Sequence, residues 1–396
     1  MWIAGRSLTV CVAAVIATGA VSPAQDAALA DVPIQLVDGF VFIQARVHGS
    51  EELTLLFDTG CTQLALHSTA AERLGLRATA TTKHDGTGTF VERVIEGVSV
   101  TIGDLIFGPL DAMQRDPGPL RRRFGIEFDG VIGADLLRDY VVGVDYDRMR
   151  LTVRGADDFV YAGAGTGYDI VSNPYFATMA ASVTLDDGEV LTGRFLIDTG
   201  AGVPLALNTP FVNRHDLLNR IGVERISYTL AARSVEMTSH PGRLARFDLG
   251  HHAFHDMPVL LSQTEAGPLS PTVIAGIIGN QIWKRFNTTF DYKRNKLYLE
   301  PNGSHGEPFR VDCSGLALSQ TPDGAFVVRA VFDGSPAAQA GVRPGDVITR
   351  IDGSETGLLA MHDIRGLLAR DGATVLLAID RAGHLVEFSL QLKRLY

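Results

Sequence analysis

The stretch LTLLFDTG at residues 53–60 decides the fold, because its pattern returns as RFLIDTG at residues 194–200. In both copies an apolar run ends in Asp-Thr-Gly, which gives Asp58 and Asp198 the same local setting. An apolar run of this length followed by a turn triplet predicts a buried β-strand that delivers its aspartate to a loop. A single D-T-G is a weak signal, whereas two copies in corresponding places of an internal repeat are a strong one.

The repeat extends beyond the triplets to two further motifs. Gly-Val-Ile-Gly at 130–133 matches Gly-Ile-Ile-Gly at 276–279, and a short helix-like stretch follows each copy. Val-Asp-Tyr at 144–146 matches Phe-Asp-Tyr at 290–292, and both copies run into a β-like segment. The same order of elements in each half predicts a duplicated lobe around a two-fold-like axis.

These motifs resemble those of the pepsin and retropepsin class of aspartic proteases, in which D-T-G is paired with a later apolar-apolar-Gly. The second copy, LIDTGA at 196–201, is similar to the retropepsin form in particular. The resemblance covers about residues 33–302. It implies a mainly β, two-lobed acid-protease fold, with lobe 1 at 33–155, lobe 2 at 160–302 and a cleft at their junction.

The resemblance implies that Asp58 and Asp198 meet as a catalytic pair. Two carboxylates ~4 Å apart at an effective dielectric of ~20 repel by about 4 kcal/mol, which separates their titrations by roughly 3 pKa units. One therefore stays ionised and activates a water, while the other keeps a proton and hydrogen-bonds the substrate carbonyl. Aspartic proteases are the established example of this split. Because the titrations are coupled, neither role is assigned to a single residue. The alternative is two aspartates in tight strand-end turns.

The resemblance also assigns supporting tasks to the rest of each triplet. Thr59 and Thr199 would hydrogen-bond across the lobe interface and lock the two loops together. Gly60 and Gly200 would leave the space needed for close backbone approach. Cys at position 61 and Ala at position 201 stand where pepsins often place Ser or Thr. This departure bears on the pKa values of the pair and leaves both carboxylates in place.

A Gly-rich hairpin, HDGTGT at 84–89, lies between the first triplet and the first Gly-Val-Ile-Gly motif. Its counterpart in the second half is near residues 230–234. In the resembling family a hairpin at this place folds over the substrate as a flap, and glycines would permit the mobility that a flap needs. An ordinary exposed turn is the alternative interpretation.

A different module follows a linker at 301–308. SPAAQAG at 335–341 combines an N-cap Ser, a Pro at the first helical position and a terminating Gly, so it predicts a short helix. This segment and PGDVI at 344–348 resemble a bacterial PDZ domain, a small α+β domain, over residues 309–396. In such domains a loop of backbone N–H groups holds a C-terminal carboxylate while the peptide adds a strand. The resemblance therefore implies a C-terminal peptide ligand, bound by a loop that comprises Gly315, Leu316, Ala317 and Leu318.

Composition limits the classes of partner. The chain has 396 residues, 46% of them hydrophobic and 20% charged, which is an ordinary globular balance with room for two or three domains. Its net charge of −10 argues against nucleic acid, because phosphate binding needs clustered Lys and Arg. Only two cysteines follow residue 30, Cys61 and Cys313, which argues against a fold held together by disulfides.

The N-terminus is typical of an export signal spanning residues 1–30. Arg6 precedes an apolar run from Leu8 to Val21, and Ala28-Leu29-Ala30 offers a small-x-small cleavage site before Asp31. The apolar run is shorter than the ~20 residues needed to cross a bilayer. We therefore expect an exported protein, periplasmic or otherwise extracytoplasmic. A retained signal anchor, which would tether the protein to a membrane, is the alternative.

No cofactor or metal is expected. Three histidines and an aspartate lie close together in the sequence and could suggest a metal site: His251, His252, His255 and Asp256. The corresponding hairpin of the first half, at 103–107, contains no histidine, which favours a structural or solvated hairpin. A serine hydrolase is remote, because no G-x-S-x-G elbow is present.

The sequence as a whole predicts an aspartic endopeptidase that hydrolyses protein or peptide substrates with Asp58 and Asp198. Its PDZ domain would recruit substrates or partners. The competing hypothesis is a catalytically inactive protease-like scaffold whose function is peptide binding by the PDZ domain. Two intact triplets favour the enzyme.

Overall fold

Antiparallel strands carry the first half of the repeat, as its alternating apolar pattern predicts. The computed structural model describes residues 28–395 except 86–87, 117–120, 122–126, 224–227, 233–234, 265–268, 270–271 and 322–323. The elements of the first half are β1 (Ala30–Val37), β2 (Phe40–Val47), β3 (Leu53–Phe57), β4 (Ala65–His67), α1 (Ser68–Arg73), β5 (Thr79–Asp85), β6 (Gly88–Ile102), β7 (Leu105–Arg115), β8 (Gly130–Ile132), α2 (Ala134–Asp139), β9 (Tyr140–Asp145) and β10 (Arg150–Gly155).

The second half repeats this order with small insertions. Its elements are β11 (Thr166–Ser172), β12 (Ala177–Thr184), β13 (Val190–Ile197), β14 (Leu205–Leu207), α3 (Thr209–Arg214), α4 (Leu217–Ile221), β15 (Tyr228–Ala232), β16 (Val235–Leu249), β17 (His252–Ser262), β18 (Gly276–Ile278), α5 (Asn280–Trp283), β19 (Phe286–Asp291) and β20 (Lys296–Pro301). Each short helix after a Gly-x-Ile-Gly motif lies where the sequence predicts it.

Three strands from each half join in one antiparallel sheet that ties the lobes together. The strand order is β1–β10–β9–β19–β20–β11. The halves meet where β9 pairs with β19, with Val144 opposite Thr288 and Val142 opposite Phe290. A continuous hydrophobic core also spans both lobes. The predicted mainly β, two-lobed architecture is confirmed, and the lobes share one core.

Within each lobe the strand that precedes a triplet lies beside the strand of the Gly-x-Ile-Gly motif. β3 pairs in parallel with β8, and β13 pairs in parallel with β18. β4 and β14 then pair with the other edge of β8 and β18 in the antiparallel direction. This arrangement makes both triplets leave their strands at the same end of the lobe, facing the lobe junction.

The C-terminal domain has its own hydrophobic core, separate from that of the lobes. The predicted helix caps are present: Ser335 Oγ accepts from Ala338 N at 3.2 Å, and Gly341 ends the helix with a φ of +86°. No helix in the described part of the chain is long and apolar enough to cross a bilayer. The elements are β21 (Leu316–Gln320), β22 (Phe326–Val331), α6 (Pro336–Ala340), β23 (Val347–Ile351), β24 (Ser354–Glu355), a 3₁₀ turn (Thr356–Leu358), α7 (Met361–Leu368), β25 (Thr374–Arg381) and β26 (His384–Gln391).

The linker between the lobes and the C-terminal domain is anchored to the second lobe. Arg285 is buried, and its guanidinium donates to the carbonyl oxygens of Ser304 and His305 at 3.1 and 3.2 Å. The same guanidinium lies 4.0 Å from the ring centroid of Phe309, a cation–π contact. The segment 301–308, which its composition predicts to be a linker, therefore has a fixed path.

Two ion pairs dock the C-terminal domain on the lobes. Arg365 of α7 lies 2.6 Å from Asp38, in the turn between β1 and β2 of the first lobe. Arg394 lies 2.7 Å from Asp256 of the second lobe. The C-terminal domain thus contacts both halves of the repeat.

Candidate active site

The backbone N–H of the first residue of each triplet is hydrogen-bonded to the neighbouring strand, the one that carries the Gly-x-Ile-Gly motif. Asp58 N donates to Ile132 O at 2.9 Å, and Asp198 N donates to Ile278 O at 3.1 Å. The two aspartates are therefore fixed to equivalent strands of the two lobes. The repeated motifs of the sequence thus become one pseudo-symmetric pair of loops.

The two threonines lock these loops together across the lobe junction. Thr59 N donates to Thr199 Oγ1 at 3.0 Å, and Thr199 N donates to Thr59 Oγ1 at 3.0 Å. Each hydroxyl also donates to a carbonyl of the opposite lobe, Thr59 Oγ1 to Ile197 O at 2.8 Å and Thr199 Oγ1 to Phe57 O at 3.0 Å. Both side chains are buried, so all four bonds are shielded from water.

Each glycine packs against the carboxyl of the opposite triplet. A methyl group built on Gly60 would lie 2.7 Å from Asp198 Cγ, and one on Gly200 would overlap the Asp58 carboxyl. Gly60 N donates to Asp58 Oδ1 at 2.8 Å, and Gly200 N donates to Asp198 Oδ1 at 2.9 Å. The two carboxyls lie side by side, so each affects the titration of the other. The absence of a side chain at both glycines is what permits this approach.

The recess around the pair changes the acidity of both carboxyls. Burial raises the pKa of Asp58, against the effect of donors that include Gly60 N. Burial and then the charge of Asp58 raise the pKa of Asp198 well above its usual range. Two like charges side by side repel, so the two carboxyls resist ionising together.

One ionised and one protonated carboxyl side by side can act on a carbonyl and a water at once. Both aspartates keep partial exposure, whereas Thr59 and Thr199 beneath them have 0% and 1%. A substrate can therefore reach the carboxyls but not the threonines. This arrangement suits general acid–base chemistry on a bound water.

The residue after the first triplet supports the loop rather than adding a second nucleophile. Cys61 N donates to Asp58 O at 3.0 Å, and Cys61 Sγ donates to Gln63 O at 3.0 Å. Burial, followed by the charge of Asp58, raises the pKa of Cys61 to about 12. The thiol therefore stays protonated, and the thiolate that nucleophilic attack requires is absent at neutral pH.

Tyr292 is a neighbour of the pair to which the sequence assigned no role. Its hydroxyl is buried and has no hydrogen-bond partner among the described residues. Burial, then the charges of Asp198 and Asp58, raise the pKa of its phenol. The position of Tyr292 could have been noticed in the sequence, because the Asp-Tyr motif at 291–292 follows the Gly-x-Ile-Gly motif at the same distance in both halves.

The two candidate flaps are strand pairs of corresponding position. β5 pairs with β6 from Thr79 opposite Val94 to Asp85 opposite Gly88, and β15 pairs with β16 in the second lobe. The tips of the two hairpins, at 86–87 and 233–234, lie outside the described residues. Their contact with substrate stays a prediction.

The histidine-bearing hairpin of the second lobe makes structural contacts. Tyr168 Oη lies 2.7 Å from His251 Nδ1. Burial lowers the pKa of His252 to about 4, and Asp256 accepts from Arg243 at 2.8 Å. Among the residues that the structure describes, no group of three His, Cys, Asp or Glu side chains could hold a metal ion.

Only the first residue of the predicted carboxylate-binding loop lies before β21. Gly315 has a φ of +78°, and Leu316, Ala317 and Leu318 are the first three residues of the strand itself. The loop meets the end of α7, since Cys313 N donates to Leu368 O at 2.9 Å. The role of these residues in peptide binding stays a prediction.

Comparison with protein families gives two matches. An aspartyl protease family model matches residues 43–136 and 181–282, one segment in each lobe with a triplet in both. A PDZ domain model matches residues 327–381, which begin after the loop at 315–318. No curated protein matches the chain.

The matched segments contain the features built up above: strand, triplet and Gly-x-Ile-Gly motif in each lobe, then a capped helix and the Pro-Gly-Asp turn in the C-terminal domain. The chain thus combines a two-lobed region of the aspartyl protease family with a C-terminal PDZ domain.

Proposed function

We propose that the protein is an aspartic endopeptidase that hydrolyses peptide bonds in protein substrates by a water activated between Asp58 and Asp198. One observation carries the proposal: reciprocal hydrogen bonds between Thr59 and Thr199 hold the two carboxyls in contact at a partly exposed recess. A pair of aspartates that served only as turn residues would not need to share a proton in a desolvated place.

The proposed reaction uses both protonation states of the pair. The ionised carboxyl accepts a proton from the water as the water oxygen attacks the carbonyl carbon. The protonated carboxyl hydrogen-bonds the carbonyl oxygen, which gains negative charge in the tetrahedral intermediate. The pKa values of both carboxyls are raised. Because the two titrations are coupled, the shared proton belongs to the pair, and the acid and base roles are not assigned to single residues.

Charge-neutralising substitutions test the pair. Casein and a random peptide library would be digested by the wild type, by Asp58→Asn and by Asp198→Asn, with and without pepstatin. Each substitution is expected to lower the cleavage rate by at least about 100-fold, the usual contribution of a general acid or base. Asp104→Asn is the matched control, because this aspartate lies in an exposed turn. Cleavage by either dyad variant at the wild-type rate would falsify the proposal.

The PDZ domain is proposed to recruit protein substrates to the cleft. It is docked on both lobes through Arg365 and Arg394, so a polypeptide held there stays close to the lobes. Removal of residues 309–396 is expected to lower cleavage of proteins more than cleavage of short peptides. Equal activity and unchanged substrate choice after the deletion would contradict a recruiting role.

A non-catalytic scaffold is the second candidate, and the same experiments distinguish it. A scaffold would bind peptides and cleave none at any pH between 3 and 8. The intact triplets and the raised pKa of both carboxyls favour the enzyme.

Export is proposed from the sequence of residues 1–30. Cell fractionation of the full chain and of a form that starts at Asp31 would test it. The full chain is expected outside the cytoplasm, and the shortened form inside it.

A further inference from the structure

The loop that precedes β21 is filled by a side chain of its own segment. Asp312 Oδ1 accepts from Ser314 N at 3.0 Å and from Gly315 N at 2.6 Å. Ser314 Oγ donates to both carboxylate oxygens at 2.9 Å and accepts from Leu316 N at 3.1 Å. Three successive backbone N–H groups, those of residues 314–316, therefore already have partners within the loop.

Of the four backbone N–H groups in the predicted carboxylate-binding loop, those of Gly315 and Leu316 already have partners within the protein. A PDZ-type loop holds a peptide's C-terminus through free backbone N–H groups. Here a terminal carboxylate would have to displace the Asp312 carboxylate or lie beside it as a like charge, and both are unfavourable. Gly315 and Leu316, the first two residues of the predicted binding loop, thus contribute their N–H groups to the protein itself.

The strand that follows the loop remains open to a partner. Within the described part of the C-terminal domain, β21 pairs with β22 alone and forms one edge of the sheet. An edge strand offers unpaired backbone groups to an added strand. A segment from the interior of a polypeptide brings such backbone groups and no terminal charge.

We propose that the PDZ domain binds extended internal segments of polypeptides along β21 and does not select a free C-terminus, because Asp312 occupies the carboxylate site. This inference rests on the proposed recruitment of protein substrates and specifies which part of a substrate is recruited. Recognition of interior segments would let the enzyme capture a substrate wherever an unfolded stretch is exposed.

The test compares two forms of the same peptides. A random decapeptide library would be prepared with free C-terminal carboxylates and with C-terminal amides, and the peptides that bind would be measured individually by fluorescence polarisation at pH 8. The protein is the full chain with Asp58→Asn, which prevents cleavage. We expect the Kd values of the two forms to agree within threefold. A preference of tenfold or more for the free carboxylate, or no binding of either form, would overturn the proposal.

A substitution in the loop provides the converse test. Asp312→Ala frees the N–H groups of Ser314 and Gly315, so the carboxylate form is expected to gain at least tenfold in affinity over the amide. Asp371→Ala is the matched control, because this exposed carboxylate lies near Cys313 and accepts from Arg394 N rather than from the loop. If Asp312→Ala leaves the ratio near one while circular dichroism shows a folded domain, the assigned role of Asp312 is wrong. The wild-type comparison decides the proposal alone if the variant does not fold. Cleavage of casein by the wild type is measured separately, so a failure here is distinct from a failure of the proposed proteolysis.

Discussion

Replacing Thr199 by Val should destabilise the protein strongly, although the two side chains have nearly the same shape. The Thr199 hydroxyl donates to Phe57 O and accepts from Thr59 N, each at 3.0 Å, and the side chain is 1% exposed. Valine removes both bonds and leaves the buried donor Thr59 N without that partner. An orphaned buried group costs about 1–3 kcal/mol and the lost bond to Phe57 O about 0.5–1.5 kcal/mol, so the free energy of unfolding should fall by about 2–4 kcal/mol.

The same substitution at Thr288 is the matched control. Thr288 is 2% exposed, and its hydroxyl has no hydrogen-bond partner among the described residues. Thr288→Val should therefore change the free energy of unfolding by less than about 1 kcal/mol, because no bond is lost and no polar group is newly orphaned. Urea unfolding, followed by the fluorescence of the buried Trp283, measures both variants.

Activity provides a second measurement of the Thr199 variant. The loops carry the carboxyls, and a misplacement of ~1 Å at a catalytic group can cost ~100-fold in rate. Thr199→Val should therefore lower casein cleavage by a similar factor, while Thr199→Ser, which keeps the hydroxyl, should retain most of it. If Thr199→Val costs no more stability than Thr288→Val, the cross-lobe bonds contribute nothing beyond the shape of the side chain.

Three further outcomes follow from the same geometry. Gly200→Ala should lower cleavage by about 100-fold, because the added methyl group overlaps the Asp58 carboxyl and displaces it; an unchanged rate would contradict the described packing. The raised pKa of Asp198 makes the folded state bind its proton more tightly than the unfolded state. The contribution of this group to the free energy of unfolding should therefore be fully present below its unfolded pKa and fall by up to about 1.4 kcal/mol per pH unit as the pH rises from there to the folded pKa. Asp198→Asn should remove that dependence, as melting curves between pH 4 and 8 would measure. Arg365→Ala should change stability by no more than about 1 kcal/mol, because both Arg365 and Asp38 are partly exposed; a larger loss in urea would show that PDZ docking stabilises the lobes.

Much of the protease fold could be predicted because its information is local and repeated. The apolar runs before Asp58 and Asp198 predict strands, and the structure ends β3 and β13 directly before these residues. The duplicated order of motifs then predicts two equivalent lobes. The cross-lobe bonds of Thr59 and Thr199 came only from resemblance to a family, because no local pattern says which distant residue a hydroxyl will meet.

The pairing that joins the lobes could not be predicted in the same way. β9 and β19 meet through residues that lie far apart in sequence, Val142 opposite Phe290 among them. Alternating apolar residues predict a strand and its buried face but do not choose its neighbour. Docking of the PDZ domain through Arg365 and Arg394 is hidden for the same reason, since both are ordinary charged residues in the sequence.

The hydrogen bonds of Asp312 within the loop could have been predicted from the sequence. Asp312 stands two residues before Ser314 and three before Gly315, the spacing at which an aspartate side chain hydrogen-bonds the backbone that follows it. Resemblance to a PDZ domain directed attention to the loop residues 315–318 and away from the side chain that precedes them.

The triplets make the two lobes depend on each other for more than chemistry. Thr59 N donates to the hydroxyl of Thr199, and Ile197 O accepts from the hydroxyl of Thr59, so a lobe on its own would lose both of these bonds. The inter-lobe sheet takes three strands from each half, and one core runs through both. Since the same contacts that complete the fold also bring Asp58 to Asp198, a folded pair of lobes already holds the two carboxyls side by side, as the proposed reaction requires. Assembly of the site is therefore a consequence of folding. A substitution that loosens the lobe junction should lower both the free energy of unfolding and the rate of catalysis.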